Sequence, residues 1–169
     1  KLLELGHEAM IEHYNLTVKI TCDLGVYKDL TRHRHVSYAI ESTRYCNYSK
    51  GKFGNELSVI KPCHIKEGTP EYQLWLETMQ QIEKNYNAMA ALGCKPDQLR
   101  MLLPHSVKAD VIMTANLREW RHIFKLRCAP AAHPTVQEVI KMLLNKLKAE
   151  IPVIFDDIPF STEEKPAAE

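Results

Sequence analysis

The chain has 169 residues, 45% of them hydrophobic and 25% charged, with a formal net charge of +1. This is long enough to bury a real core, and the near-neutral balance argues against a nucleic-acid-coating or membrane-surface protein, so any anion chemistry has to be local. No apolar run approaches the roughly 20 residues that cross a bilayer, and nothing resembles a signal peptide.

In chain order, residues 1–6 read like the end of a helix, and with Lys1 in first place some of the natural N-terminus is expected to precede it. Residues 15–22 alternate, with Leu16, Val18, Ile20 and Cys22 on one face, and predict a strand. Asp23 is placed to cap a short helix over 24–30. A second short strand is expected within 34–41, rich in Val, Tyr and Ile.

The strongest helix spans 70–92, with Thr69 at the N-cap, Pro70 in the first turn and Gly93 just past the end. Its stripe of Tyr72, Trp75, Met79, Ile82, Tyr86 and Met89 is read as core or subunit interface rather than a cofactor box. A short helix over 96–101 is stopped by Pro104, and 110–115 is β-compatible. Asn116 then caps a helix to about Arg127, with Glu119 completing a capping-box pattern. A last helix over 134–149 buries Val136, Val139, Ile140, Leu143, Leu144 and Leu147. The polar stretch 161–169 is expected to be disordered. Helices and strands without regular alternation predict an α+β fold, with a small antiparallel-type sheet in one domain over 1–160.

The cysteines, Cys22, Cys46, Cys63, Cys94 and Cys128, are odd in number, scattered, and form no Cys-x-x-Cys pair. That argues against a disulfide framework or structural zinc and points to a reducing, cytoplasmic setting; no metal is expected.

The segment 31–45 concentrates Arg32, His33, Arg34, His35, Ser37, Glu41, Ser42 and Arg44 among β-formers. Arginine presents a planar fork of donors that grips phosphate, and hydroxyls add neutral donors. Composition alone favours a solvated basic run; the alternation of Val36, Tyr38 and Ile40 instead suggests a partly buried strand, where arginines need anionic partners. A second cluster lies on the Asn116 helix, where Arg118 and His122 share a face, Arg121 and Lys125 are displaced from it, and Arg127 ends the helix. Arg127 taken alone could simply satisfy the helix dipole. Arg100 stands in an otherwise apolar short helix, either snorkelling or paired with an anion.

Arg32-His33-Arg34, then seven residues, then Ser42-Thr43-Arg44-Tyr45, resembles the signature of flavin-dependent thymidylate synthases. Gly6-His7-Glu8 with Glu12-His13, Arg100 with Leu103-Pro104, and Asn116-Leu117-Arg118 with His122 and Leu126-Arg127 resemble further segments of that family in the same order. The similarity runs from about Gly6 to about Phe155.

The resemblance implies FAD contacts from His7, Arg32, His33, Arg34, Asn116, Leu117, Arg118 and His122. It implies a dUMP site built from Asp29, Arg32, Glu41, Ser42, Thr43, Arg44 and Arg100, with Arg127 facing the uracil and stabilising its ionised form. It further implies NADPH and methylenetetrahydrofolate as co-substrates, dTMP as product, no cysteine nucleophile, and a homotetramer with active sites shared between subunits. Three departures are visible. Ala39-Ile40 replaces a frequent Asn-Glu, Asp29 replaces a frequent neutral Gln, and the stretch 128–134 is longer than in compact members. The alternatives are a flavin or nucleotide binder without turnover and a small basic-patch nucleic-acid-binding domain, the latter disfavoured by the near-neutral charge.

Overall fold

The computed structural model describes residues 1–46, 48 and 56–159. Two of the sequence expectations fall partly or wholly elsewhere: the polar stretch 161–169 and the end of the 1–160 domain lie outside the described residues. The elements are β1 (Asn15–Asp23), α1 (Leu24–Leu30), β2 (Ser37–Ile40), α2 (Pro70–Ala91), α3 (Pro96–Leu99), β3 (Lys108–Asn116), α4 (Leu117–Arg127), α5 (Pro134–Glu150) and α6 (Pro152–Phe155), with 3₁₀ turns at Ala9–His13 and Arg100–Leu102. Helices and a three-stranded sheet of order β1–β3–β2 give the expected α+β class. Thr17 meets Thr114 and Thr21 meets Asp110, so numbers rise on β1 as they fall on β3, and the pair is antiparallel.

The chain divides into two compact units, Lys1–Ile20 with Asp29–Tyr38 and Ile112–Glu169, and Thr21–Lys28 with Ala39–Val111. In the first, α4 packs on the 3₁₀ turn of Ala9–His13 and on α5, and α5 on α6. Its core is aromatic: Trp120 stacks on Phe124 at 5.7 Å, and Phe124 meets Phe155 edge-on at 5.4 Å. From α5, Val136, Ile140, Leu144 and Leu147 are buried, one residue per turn, while Val139 and Leu143 flank that stripe half-buried. The indole N–H of Trp120 donates to the carbonyl of Leu16 on β1. Residues 1–6 carry no helix but close in the pattern of a helix end. Gly6 has φ +75°, its N–H reaches the carbonyl of Leu3, and His7 N–H reaches that of Leu2.

In the second unit, α2 begins and ends where its caps dictate. Thr69 Oγ1 accepts from Tyr72 N–H, and beyond the end Gly93 sits at φ +90° with Cys94 N–H closing onto Met89. Of the expected stripe only Tyr86 is fully buried, in a cluster with Tyr48, Leu57, Leu99 and Val107, against which Ile82 and Met89 pack. Trp75 is half-buried and donates its indole N–H to Ser106 Oγ. The expected short helix splits into α3 and a 3₁₀ turn, since Pro104 removes the donor that would continue it. Asp23 Oδ1 accepts from Val26 N–H and so caps α1. Among the described residues no two cysteines are joined in a disulfide; Cys63 and His64 are exposed neighbours.

Candidate functional site

Helix α4 is organised by one arc of apolar residues and one of cations. Asn116 Oδ1 accepts the N–H of Glu119 at 2.8 Å and fixes the helix start. Leu117, Trp120, Ile123 and Phe124 point into the core. Arg118, His122 and Lys125, at intervals of four and three, form the exposed face. That face, with Asn116, Glu119, His35, Glu8 and Glu12, lines an open cleft of about 600 Å³ in the first unit.

The cations of the cleft face two carboxylates from the turn before β1. Arg118 pairs with Glu12 and stands 3.8 Å from Glu8, while Lys125 is 3.4 Å from Glu8. Burial works to raise the carboxyl pKa of Glu8, but the Arg121 hydrogen bond and the charges of Arg121 and Lys125 outweigh it and hold it below the usual range. The side chains of Arg118 and Lys125 are about half exposed, at 52% and 50%. Pairs this exposed are worth about 0–1 kcal/mol each, so a multivalent anion can displace the carboxylates.

At the C-terminal end of α4, Arg127 Nε donates to His33 Nε2 at 3.0 Å, and one terminal nitrogen donates to the carbonyl of Asp29 at 2.6 Å. The other ring nitrogen of His33, Nδ1, lies 3.5 Å from the Glu119 carboxylate. His33 is buried, and burial, then the charges of Arg127 and His122, push its pKa down to about 4, so the ring is neutral at pH 7. Tyr38 anchors the same loop, its hydroxyl within hydrogen-bonding reach of the carbonyls of Leu30 and His33. Burial, then the charge of Glu119, raise the phenol to about 12. Cys128, next to Arg127, is buried and its thiol is pushed up to about 11, so it is no thiolate nucleophile at neutral pH.

His33, Glu119 and His122 bring donor atoms within 4.8 Å of one another, a spacing that could hold a metal ion. The surroundings oppose it: His33 Nε2 is taken by a guanidinium, and the burial and neighbouring positive charge that keep a proton off this ring also disfavour a metal cation.

The expected residues therefore divide. His33, Asn116, Arg118, His122 and Arg127 gather in the first unit around α4. Leu117 is buried there, with its N–H committed to the Tyr14 carbonyl. Asp29 contributes its carbonyl, while His7, Arg32 and Arg34 are exposed in the same unit. Glu41, Ser42, Thr43, Arg44 and Arg100 belong to the second unit. There the Glu41 carboxylate is 3.6 Å from Lys108, and its buried Oε2 has no hydrogen-bond partner. Ser42 closes a turn through its carbonyl, Arg44 lies over the ring of Tyr45 at 5.5 Å, and Arg100 is exposed at the start of the 3₁₀ turn.

Sequence reasoning missed Glu119 and Arg121. The capping box is only half formed: Asn116 plays its part, but the Glu119 side chain turns to His33 instead of back to the Asn116 N–H. The available signal was a pair of opposite charges flanking Trp120 on the apolar arc, positions that a helix normally fills with hydrophobic residues.

One helix of this α+β fold thus presents Arg118, His122 and Lys125 to a cleft and carries an oriented arginine at its far end. The chain belongs to the thymidylate synthase complementing protein family, whose model matches residues 1–153. It is 30% identical over 148 residues to the flavin-dependent thymidylate synthase of Pyrococcus abyssi, covering 87% of this chain and 60% of that one. It is 27% identical over 177 residues to that of Corynebacterium glutamicum, covering 95% and 68%. The chain thus spans about 60% of the length of the Pyrococcus relative. Among solved structures, thymidylate synthase X of Helicobacter pylori, crystallised with FAD and dUMP, shares the fold with a TM-score of 0.72 at 20% identity, over 91% of this chain and 77% of that one.

Proposed function

We propose that this chain is a flavin-dependent thymidylate synthase, converting dUMP to dTMP with methylenetetrahydrofolate as carbon donor and FAD reduced by NADPH. The observation that carries the reading is Arg127: a guanidinium held on two sides, by His33 and by the Asp29 carbonyl, leaves three of its five donors for a ligand. The cleft fits the flavin nucleotide's charged part. A helix N-terminus capped by Asn116, with Arg118 and Lys125 only weakly paired, is a place where a diphosphate replaces Glu8 and Glu12. His7, Arg32, His33, Arg34, Leu117 and His122 complete the proposed FAD set. Flavin supplies the hydride, a chemistry that belongs to the cofactor.

The protein's own residues orient and polarise. Arg127 is set to stabilise negative charge developing on the uracil, and one such donor is typically worth about 3 kcal/mol at the transition state. Asp29, Arg32, Glu41, Ser42, Thr43, Arg44 and Arg100 form the proposed dUMP set. Purified protein is then yellow or becomes so with FAD, and forms dTMP from dUMP, methylenetetrahydrofolate and NADPH. Arg127→Ala keeps the flavin absorbance and loses turnover by about 10²- to 10³-fold. A preparation that takes up no FAD, or takes it up and makes no dTMP, defeats the proposal; the second result identifies a binder without turnover.

A further inference from the structure

We propose that Glu119 is a positioning residue for Arg127, acting through His33: its carboxylate holds the His33 proton on Nδ1, which leaves Nε2 free to accept the Nε–H of Arg127. The three groups stand in line in the first unit, Glu119 Oε1 to His33 Nδ1 at 3.5 Å and His33 Nε2 to Arg127 Nε at 3.0 Å. A neutral imidazole carries one proton, and its two possible placements are not equivalent here. With the proton on Nδ1, an N–H faces a carboxylate and a lone pair faces a guanidinium. With it on Nε2, a lone pair faces the carboxylate and two N–H groups face each other at 3.0 Å, unfavourable at both ends.

The surroundings keep this arrangement rigid. His33 and Glu119 are 6% and 9% exposed, so water does not compete freely for either side chain. The Glu119 backbone is pinned by the Asn116 cap, and the His33 backbone by the bond from the Tyr38 hydroxyl to its carbonyl. The ring's low proton affinity supports the same picture, because a doubly protonated imidazole would present a donor to Arg127. Glu119 also lines the neighbouring cleft, and its link to the Arg127 guanidinium runs through the His33 imidazole.

This assignment rests on the proposed role of Arg127 in activating the uracil, but the tautomer is open to measurement without turnover. Nitrogen NMR of ¹⁵N-histidine-labelled full-length protein should show His33 neutral at pH 7 with the proton on Nδ1. Glu119→Gln offers an amide that donates to Nδ1 as readily as it accepts. The expected outcome is a shift of His33 toward the Nε2–H form and a loss of kcat on the order of ten- to a hundredfold, as for other partners that orient a functional histidine. Melting temperature is the folding control, and flavin content reports separately on the cleft that Glu119 also lines. His33→Gln places an amide oxygen where Nε2 was, so in that background Glu119→Gln should cost nothing further. A wild-type His33 with its proton on Nε2, a tautomer indifferent to Glu119→Gln, or additive losses in the double variant each overturn the proposal. If the tautomer behaves as stated but the protein makes no dTMP, it is the reading of the overall activity that fails.

Discussion

His33 shows how one residue's surroundings reverse the behaviour its composition suggests. In the sequence it is the centre of a basic triplet; in the fold it is buried, neutral and an acceptor. The ring is flanked by Arg127, His122 and Glu119, and burial, then the charges of Arg127 and His122, push its pKa down. Its folded pKa of about 4 lies below the ordinary 6.5, so between these values the unfolded chain binds a proton that the folded chain does not. The contribution to stability is therefore full above pH 6.5 and is lost as pH falls toward 4, by roughly 3 kcal/mol over that window. Thermal melts from pH 7.5 to 4 should show a decline beginning near pH 6.5, absent in His33→Gln. A wild-type curve flat down to pH 5 counts against the buried neutral ring.

At the scale of elements, a second buried charge ties three of them together. Arg121 is 2% exposed; its two terminal nitrogens grip the Asp157 carboxylate at 2.6 and 2.7 Å, its Nε reaches Glu8 at 2.9 Å, and it also donates to the Ile154 carbonyl. The turn before β1, α4 and the end of α6 thus meet on one guanidinium. Removing it takes a buried cation from between two carboxylates and leaves the pair half broken. Because the Asp157 side chain is 56% exposed, the loss falls at the low end of the usual range, about 3 kcal/mol for Arg121→Ala in urea unfolding. Arg121→Met, which keeps most of the volume, should lose less. The hydrogen bond from Arg121 holds the Asp157 carboxyl below the usual range, so this contribution is present at neutral pH and disappears in acid as the carboxylates protonate.

Elements themselves were legible because their signals are local. The cap at Asn116, the Pro and Thr opening α2 and the Gly closing it are each read within a few residues, and each appears where the sequence puts it. The alternation of 15–22 gave β1 with its buried face correct to the residue at Ile20 and Cys22. Short elements escaped, such as α6 and the Ala9–His13 turn, because four or five residues hold too little periodicity to stand out. On α4, periodicity separated Arg118 and His122 from Arg121, yet it gave no means to decide that Arg121 is buried with partners 33 and more residues away.

At the scale of the whole molecule, no helix among the described residues is long and apolar enough to cross a membrane. The proposed homotetramer with shared sites predicts a solution mass of four times 19.5 kDa by light scattering, persisting when flavin is bound. A monomer with full dTMP-forming turnover would contradict site sharing. Sequence by itself determined the α+β class, nearly every long element and the family, because periodicity, caps and an ordered set of motifs are properties of neighbouring residues. Only the tertiary structure decided which charges are bound to which. His33 and Arg127 are 94 residues apart along the chain, and whether an imidazole there is a donor or an acceptor depends on the packing that brings Glu119 to its other side.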